Sequence, residues 1–578
     1  MADNYWTRTV RNRYSRRTAL RTGGLATAGL AGLALVGCGD DDDDGGDSGD
    51  PTVSIAQPTT DTSAQPKRGG LYRWAWQGTP HLDIHQDSAA GALAIITATY
   101  NRVMRFQDEA QLPEPDLAAK MPEQPDPTTI VFTIREGVKF HNKPPVNGRV
   151  MTAEDVAFSL NRARTDQPSF IHKGDLVSID KVEAVDAKTV RITTKFPNAV
   201  LLTTLAGAQF IVLAPETVAT YGDLKTDRAT IGTGAFVVDS ASTDQGAQLS
   251  RHPNYFRTGK PYLDKVQQFV IGDHWSQFLA GNLEIVTIAA EIQEGFDTTE
   301  EVLKDAGVDA YAIKGIGGGS SQGHFMNNGA PPFNDIKVRQ AINLILDRDP
   351  QLTYGYPIGG YRMVALGDGH VSAGWGLTEK EVLALPGYRT DKAKRDQDIK
   401  DALALFAAAG YTKDNPLKWE IMGWAVPHRT IGIDELQLAC EMYKQVSGGV
   451  LDPTPKGLEW GTWKAAEANH EFQMISSAYL MGNDAHEALQ KMYSSTGGRN
   501  FAQFKDPKFD EMLIKEQGTF DLEQRKKLVK EMVQYINDPV RIANAWTGTG
   551  PTYSAVTSKL RGFPGLWDSG KVDQIWFA

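Results

Sequence analysis

Two closely spaced histidines form the strongest metal-binding pattern in this sequence. His81 and His85 are four residues apart, and on a helix this spacing puts two imidazoles on one face, as in some zinc sites. The segment lacks the glutamate of the metalloprotease pattern, and the other histidines are scattered without cysteine or carboxylate partners at metal-ligand spacing. We therefore expect no metal site.

Other reactive groups also give little indication of catalysis. We predict no nucleophile elbow, no phosphate-binding loop and no cysteine-centred nucleophile. The sequence has 12 tryptophans, whose faces suit sugars, peptide side chains and cations. These residue types favour a binding protein over an enzyme, and we expect no cofactor.

The amino-terminal residues have the parts of an export signal. A basic start contains Arg8, Arg11, Arg13, Arg16, Arg17 and Arg21. Residues 22–37 form an apolar stretch of small residues that is shorter than the roughly 20 residues needed to span a bilayer. The stretch ends in the sequence LVGC at Cys38, which resembles the bacterial lipobox, where a peptidase cuts before an acylated cysteine. We predict that residues 1–37 are removed and that Cys38 carries lipid.

The residues before and after the apolar stretch bear on the export route and on anchoring. Residues 15–20 (SRRTAL) resemble a twin-arginine signal in which Ala19 replaces the usual phenylalanine, so the twin-arginine and general secretory routes both stay open. Residues 38–66 are acidic and rich in Gly, Ser, Thr, Pro and Gln, with few apolar groups to bury. We expect a disordered tether that holds the protein outside the cytoplasm, in the periplasm or at the outer face of the cell membrane.

The mature chain is acidic and long. Without residues 1–37 it has 54 basic and 70 acidic residues, a net charge of −16, which argues against nucleic acid as a partner. Cys440 is then the remaining free thiol, so no intramolecular disulfide is expected. No later segment is apolar enough to span a membrane. About 510 residues follow the tether, which is too many for one core and predicts at least two lobes.

Local patterns predict the elements of a mixed α/β protein. Alternating or β-branched runs predict strands over residues 71–76, 129–134, 189–194 and 231–238. Thr152 and Asp155 form a capping-box pattern that predicts a helix through Ala163. Further helices are predicted after Asp335, over residues 399–409 with Gly410 as the stop, and from Asp521 through residue 536.

Several sequence blocks, in order and well spaced, resemble one family. The most diagnostic is FTIREGVKFH at residues 132–141. The other blocks are RGGL (68–71), HLDIH (81–85), PPV (144–146), TAEDV (152–156), GTGAF (232–236), NYF (254–256), PYLDKV (261–266), PPFND (331–335), VRQAI (338–342), LFAAAGY (405–411) and QRK (524–526). Over about residues 67–545 the chain thus resembles family 5 of the extracytoplasmic solute-binding proteins, which serve peptide, nickel and opine ABC importers. Ile84 and Ala235 stand where the family has proline.

The resemblance implies a fold and a division of the chain. The fold is a two-lobed α/β clamshell of the type II periplasmic-binding-protein-like class, with an extra subdomain and two strands that cross between the lobes as a hinge. The implied units are 67–112, 226–317 and 531–578 for lobe 1, 113–225 for the extra subdomain, and 318–530 for lobe 2. The solute would bind in the cleft, and lobe closure would exclude water around it.

Candidate binding residues follow from position in the family pattern. The aromatic candidates are Trp74, Trp76, Tyr100, Trp424, Tyr479 and Trp546. In peptide-binding members an aspartate pairs with the terminal ammonium of the ligand, and Met481 falls at that position here. Asp484 lies three residues later, with Asn483 before it. Either a loop shift lets Asp484 serve, or the ligand carries no free ammonium there, and we favour the second.

The predicted function is the substrate-binding component of an ABC importer. The protein would capture a small solute, a peptide by family default, and deliver it as a monomer to the membrane permease and its ATPases. An oligosaccharide or another non-peptide solute remains an alternative. A sensor or chaperone-like binding protein would share the fold, and a secreted hydrolase would need a nucleophile–base pair in the cleft.

Overall fold

The computed structural model describes most of the chain after the predicted tether. The described residues are 65–76, 81–86, 90–106, 112–165, 167, 169–242, 244–315, 320–425, 432–480, 484–563 and 571–578. The predicted signal peptide, Cys38, Met481 and Asn483 lie outside them. Within these ranges, every helix is too short or too polar to cross a membrane.

The strands form six sheets in the described part of the chain. They are β1 (Leu71–Trp76), β2 (Met104–Phe106), β3 (Pro113–Pro115), β4 (Glu123–Asp126), β5 (Thr129–Thr133), β6 (Ile179–Asp186), β7 (Thr189–Thr194), β8 (Phe236–Ser242), β9 (Gly246–Arg251), β10 (Lys265–Val270), β11 (Ile285–Ile288), β12 (Ala310–Lys314), β13 (Ser320–Met326), β14 (Leu417–Trp424), β15 (Leu451–Leu458), β16 (Met474–Leu480), β17 (Asn544–Gly550), β18 (Tyr553–Thr557), β19 (Leu560–Arg561) and β20 (Trp576–Phe577).

Helices cover the faces of the larger sheets. They are α1 (Ala90–Thr99), α2 (Ala153–Ala163), α3 (Leu201–Leu205), α4 (Pro215–Tyr221), α5 (His274–Leu279), α6 (Ala290–Gln293), α7 (Thr299–Asp305), α8 (Ile336–Ile345), α9 (Asp349–Gly355), α10 (Asp368–Ser372), α11 (Glu379–Val382), α12 (Lys392–Ala408), α13 (Ile433–Val446), α14 (Trp460–Ala468), α15 (Ala485–Tyr493), α16 (Pro507–Gln517) and α17 (Leu522–Ile536).

Lobe 1 contains two neighbouring sheets. The first has the order β1-β10-β9-β8, with β1 parallel to β10, and the second has the order β11-β18-β12. The two sheets meet where the backbone N–H of Glu284 donates to the carbonyl of Arg73 at 2.9 Å. The Arg73 guanidinium also pairs with the Glu284 carboxylate at 2.5 Å, which fixes β1 beside β11.

The extra subdomain is an antiparallel sheet in the order β4-β5-β7-β6, with α2 packed on one face. Phe132, Val156 and Leu160 belong to its buried core. The predicted capping box is present at the start of α2, where the N–H of Thr152 donates to Asp155 at 2.8 Å. This helix is the one that the sequence predicted through residue 163.

Lobe 2 is built on one mixed sheet in the order β15-β14-β16-β13-β17. Helices α8, α12 and α13 supply the core on one face, and helices α14 to α17 supply it on the other. Both faces of the sheet are thus covered, and β17 is buried along its whole length.

The chain crosses between the two lobes twice. Strand β12 lies in a lobe 1 sheet and β13 in the lobe 2 sheet, so the first crossing runs between Lys314 and Ser320. The second runs from Gly550 at the end of β17 to Tyr553 at the start of β18. The expected return to lobe 1 at residue 531 therefore comes later, because β17 still pairs with β13.

Most predicted elements are confirmed, with two differences in extent. Strands β1 and β7 have the predicted bounds, and Asp335 and Asp521 cap α8 and α17. Helix α12 begins at Lys392 instead of 399, because Asp391 caps it by accepting from the N–H of Lys394. The strand predicted over 231–238 begins at Phe236, because the residues before it pack against the end of α1.

Candidate functional site

One edge of the lobe 2 sheet faces lobe 1. Strands β14, β15 and β16 are parallel, so their carboxyl ends share that edge. Strand β13 is antiparallel to β16 and begins there, and β17 ends there, so both crossings to lobe 1 leave from this edge. In open α/β sheets ligands bind beyond the carboxyl ends of the strands. This edge is therefore the candidate site.

A cluster of tryptophans lines the edge. Trp424 is the last residue of β14 and is half-buried. Its ring centroid lies 5.0 Å from that of Trp460, the first residue of α14. Trp460 is 37% exposed and makes a second edge-to-face contact, at 5.2 Å, with the buried Trp463. Trp424 and Trp460 thus present partly exposed aromatic faces at the edge that faces lobe 1.

A lysine is held over this cluster. The Lys464 ammonium lies 4.1 Å from the Trp463 ring centroid and 5.2 Å from that of Trp460, and it pairs with Glu467 at 2.7 Å. Burial lowers the pKa of Lys464, although Glu467 opposes the shift. Sequence reasoning did not select Trp460, Trp463 or Lys464. The signal was two tryptophans three residues apart just after a strand, a spacing that shares one helix face.

One further candidate, Tyr479, lies at the same edge. Tyr479 is the next-to-last residue of β16, and its backbone pairs with Ser321 of β13. Met481 and Asn483 follow it directly in sequence. The backbone of Tyr479 thus lies at the edge that holds Trp424, whereas Met481 and Asn483 lie outside the described residues.

Asp484 lies behind the edge in a buried ionic cluster. Its carboxylate caps α15 by accepting from the N–H of His486 at 2.9 Å. The same carboxylate receives a hydrogen bond from Arg525 at 2.8 Å, and Arg525 also pairs with Glu516 at 2.6 Å. Burial alone would raise the pKa of Asp484, but Arg525 and His486 lower it to about 2. The charge of Asp484 already has a protein partner.

Two aromatic candidates belong to the core instead of the edge. Trp546 is 1% exposed, and its indole N–H donates to the Tyr493 hydroxyl at 2.6 Å. Tyr100 is 2% exposed, and its hydroxyl accepts from the N–H of Ile231 at 3.0 Å. Both polar atoms are satisfied inside the protein, so these side chains pack and position neighbouring segments.

The remaining two candidates lie in lobe 1. Trp74 and Trp76 are alternate residues of β1 and line the same cavity. Trp74 is buried and Trp76 is half-buried at the carboxyl end of the strand. The structure thus divides the aromatic candidates among the lobe 2 edge, the lobe 1 cavity and the core.

Two buried serines of the lobe 2 sheet donate hydrogen bonds to neighbouring groups of the fold. A Gly-x-Ser-x-Gly pattern, which we did not predict, occurs at residues 319–323. Its Ser321 lies within β13 and donates to the carbonyl of Gly548 at 3.2 Å, whereas a nucleophile elbow needs a strand-to-helix turn. Ser476 donates directly to Glu435 at 2.9 Å in a fully buried position.

The two histidines of the predicted pair make contacts within the protein. His85, from the predicted pair, is buried against Arg162, and burial lowers the pKa of its imidazole to about 3. His81 accepts from the N–H of Asp83 at 3.3 Å. Within the described ranges, no group of three or more His, Cys, Asp or Glu side chains is arranged to hold a metal ion.

The lobes also touch on the side away from the crossings. The N–H of Ala199 in the extra subdomain donates to the carbonyl of Gln517 in lobe 2 at 2.7 Å. Nearby, the Lys491 ammonium of α15 lies 3.7 Å from the Asp175 carboxylate. We call this contact between the extra subdomain and α15–α16 the seam. The two lobes are therefore in contact at the seam as well as joined at the crossings.

Two α/β lobes joined by two crossings, with an aromatic wall at the strand ends, define the class of two-lobed solute-binding proteins. The profile of the "Bacterial extracellular solute-binding proteins, family 5 Middle" matches residues 113–501. The chain belongs to this family, which confirms the resemblance and the fold class inferred from the sequence. Members of the family bind substrates outside the cytoplasm. This chain is accordingly a substrate-binding protein.

Known proteins are similar over most of the chain. Heme-binding protein A of Haemophilus influenzae is 26% identical over 464 residues, which cover 75% of this chain and 78% of that protein. The periplasmic oligopeptide-binding protein OppA of Salmonella typhimurium is 22% identical over 84% of both chains. The periplasmic binding protein DppA of Helicobacter pylori, solved with the peptide STSA, superposes with a TM-score of 0.73 at 20% identity, covering 88% of this chain and 98% of that one.

Proposed function

We propose that this chain is the substrate-binding component of an ABC importer that captures a peptide between its lobes and delivers it to the permease. The observation that carries the proposal is the partly exposed tryptophan pair Trp424 and Trp460 at the lobe 2 edge that faces lobe 1. The oligopeptide-binding relative and the peptide complex of the structural neighbour support a peptide as the solute.

The proposed mechanism is capture by closure. A solute between the lobes would contact the aromatic wall, and closing would remove water from both. The seam would then form and add stability to the closed state through Ala199, Gln517, Asp175 and Lys491. Only a solute that binds the closed state more strongly than the open state can shift this equilibrium. The closed form would dock on the permease, and the partner ATPases would supply the energy.

A non-peptide solute is the second candidate, and the state of Asp484 favours it. Its carboxylate is paired with Arg525 and caps α15, so it does not offer a free charge to a ligand ammonium. Met481 stands at the family position of the ammonium partner. An oligosaccharide could instead stack on Trp424 and Trp460. The name of the relative heme-binding protein A also indicates that a non-peptide ligand occurs among similar proteins.

We further propose that the protein is an exported lipoprotein. Cys38 would carry the lipid after removal of residues 1–37, and residues 38–66 would act as the tether. The apolar stretch before Cys38 supports a removable signal, because it is too short to span a bilayer as a permanent helix. Metabolic labelling with a palmitate analogue tests this proposal: the wild type should be labelled and the Cys38→Ala variant should not.

The test of solute capture compares two aromatic-to-alanine variants. Titration calorimetry with an equimolar tripeptide library, and separately with maltotriose, should detect binding of one class to the wild type. Trp460→Ala should weaken that binding about tenfold, because a stacked aromatic contact contributes about 0.5–1.5 kcal/mol beyond its buried area. Tyr221→Ala, in helix α4 of the extra subdomain, is the control and should leave affinity unchanged. Equal affinities in all three proteins would contradict the proposed site.

A further inference from the structure

A cavity lies inside lobe 1, apart from the tryptophan edge of lobe 2. It has about 80 Å³ of space that the centre of a water-sized sphere can occupy, and it is partly open to solvent. Its walls come from β1, α1, β10, β11, β18 and the carboxyl-terminal residues, all of which belong to lobe 1. Protein interiors are normally close-packed, and voids larger than a water molecule are few. This space is several times the roughly 10–15 Å³ that one water molecule needs, so it can admit a group the size of a side chain.

The walls of the cavity are mainly aromatic and aliphatic, and its polar lining residues are Thr97, His274 of α5, Thr287 and Ser554. Tyr72, Trp74 and Trp76 are alternate residues of β1, so they project from one face of the strand. Phe563 and Ile575 contribute from the carboxyl-terminal segment. No lining residue carries a carboxylate, an ammonium or a guanidinium group. The cavity therefore suits an uncharged, apolar group.

Small residues on α1 keep the space open. Ala94 and Ala98 are four residues apart, which places them on one face of the helix, and both line the cavity. Thr97 lies between them in sequence, and its hydroxyl donates a hydrogen bond to the carbonyl of Ala94 at 3.2 Å. A leucine at either alanine position would fill part of the space. The cavity thus depends on residue size at two identifiable positions.

The cavity lies at the end of lobe 1 that adjoins the crossings. Trp76 is the last residue of β1, and β1 runs beside β11 through the Arg73–Glu284 contacts. Thr287 of β11 pairs with Ser554 of β18, and both line the cavity. Ser554 follows the second crossing, which starts at Gly550 of lobe 2. A solute held between the lobes therefore has an apolar space beside it in lobe 1.

We propose that this cavity receives the apolar part of the captured solute, so the protein selects solutes that carry an aromatic or branched aliphatic group. The inference rests on the proposed function and adds the substrate class. Trp74 and Trp76 then act as the walls of a side-chain pocket, while Trp424 and Trp460 contact the solute from lobe 2. Full burial of such a group contributes enough to raise affinity about tenfold to a hundredfold over a polar counterpart.

The test uses the full chain, two matched peptides and an apolar probe. Affinities for Ala-Phe-Ala and Ala-Ser-Ala are measured by titration calorimetry, and binding of indole is measured by thermal shift. The wild type should bind the phenylalanine peptide at least tenfold more tightly. Ala94→Leu should remove this preference without weakening the serine peptide. Ala98→Val is a second, smaller filling variant in case Ala94→Leu does not fold, and Ala407→Leu on the exposed face of α12 is the control.

Each outcome separates the cavity from the proposed function. Loss of the phenylalanine preference in the filled variants, with the control unchanged, supports the inference. Equal binding of both peptides to the wild type and to Ala94→Leu overturns it and leaves peptide capture intact. Indole binding that is lost on filling, without peptide binding to any variant, supports the apolar pocket and overturns the peptide as solute. Absence of binding by indole and by both peptides overturns the inference.

Discussion

Arg525 offers the sharpest test of the ionic cluster behind the binding edge. Its side chain is 4% exposed, and its guanidinium lies 2.8 Å from Asp484 and 2.6 Å from Glu516, whose side chains are 9% and 0% exposed. The substitution Arg525→Met keeps much of the length of the side chain but removes its charge. Two buried carboxylates would then keep only imidazoles beside them in this cluster: His486 beside both, and His370 near Asp484.

The expected cost is large because the carboxylates stay buried. Breaking a buried ion pair by removing one partner typically costs about 3–5 kcal/mol. The pKa of Asp484 gives an independent estimate: lowering it from 3.8 to about 2 corresponds to about 2 kcal/mol of stability from this one group. That stability is present above pH 4 and is lost as the pH falls toward 2. In this range the unfolded chain is protonated at Asp484 before the folded chain is, so protonation favours unfolding.

The pH dependence of the variant has the opposite sign. Without Arg525, burial raises the pKa of Asp484, so the folded variant binds this proton more tightly than the unfolded chain. Its free energy of unfolding therefore rises relative to the wild type as the pH falls from 7 to 5. Urea denaturation at several pH values measures both the cost and this trend.

The neighbouring substitution Lys526→Met is the matched control. Lys526 pairs with Glu523, which is 80% exposed, at 3.7 Å, and such surface pairs contribute about 0–1 kcal/mol. A cost below 1 kcal/mol for Arg525→Met, or a difference between variant and wild type that does not depend on pH, would refute the reasoning. Asp484 would then be available to a ligand after all.

A buried histidine, the seam and a glycine contact give three further tests. Burial lowers the pKa of His370 to about 4, so the unfolded chain binds the proton first as the pH falls below 6.5. Protonation of this group should therefore lower the free energy of unfolding by about 2 kcal/mol between pH 7 and pH 5. Urea denaturation at several pH values should show a flatter pH dependence of this free energy in His370→Gln. Lys491→Met removes the contact with Asp175 across the seam, and calorimetry should find solute affinity reduced about two- to fivefold through the closed-state population. A Cβ on Gly234 would lie 2.4 Å from the carbonyl carbon of Thr99, so Gly234→Ala should lower the free energy of unfolding by about 1–3 kcal/mol in urea denaturation.

Matched controls distinguish these effects from general damage. An unchanged pH slope in His370→Gln would contradict the assignment of that slope to the buried imidazole. Lys400→Met, on the exposed face of α12, should leave solute affinity unchanged, and an equal loss there would contradict the seam. Gly461 has no atom within 4 Å of an added Cβ, so Gly461→Ala should be neutral or stabilising. Equal costs at Gly461 and Gly234 would contradict the close-packing argument.

Local signals explain why some elements could be predicted from the sequence. Strand β7 alternates along its length, and α17 begins at an aspartate cap, so their bounds match the prediction. The strand predicted from residue 231 begins at Phe236, because the N–H of Gly234 pairs with the carbonyl of Thr99 on α1 and not with a strand. That contact joins distant parts of the chain, and no local pattern reveals it.

The candidate site was only partly accessible to sequence reasoning. Trp424 and Trp76 end strands that point toward the other lobe, and the family pattern selected both. Trp546 fits the same pattern but is buried, and its indole N–H donates to the hydroxyl of Tyr493 at the end of α15. Whether an aromatic residue faces a cleft or the core depends on such a partner, which lies 53 residues away in the chain. Trp460 begins α14 and comes beside Trp424 because β14 and β15 pair in parallel, a contact that no local pattern reveals.

The central claim is that the closed cleft captures a peptide-type solute. Native mass spectrometry of the full chain, purified directly from the expression host, tests it most directly. The bound solute is then released in acid and its mass is measured. The account predicts a bound fraction whose released masses form a set of short peptides enriched in aromatic or branched aliphatic residues. Released masses spaced by hexose units, or a protein that stays empty and binds maltotriose but no tripeptide, would contradict it.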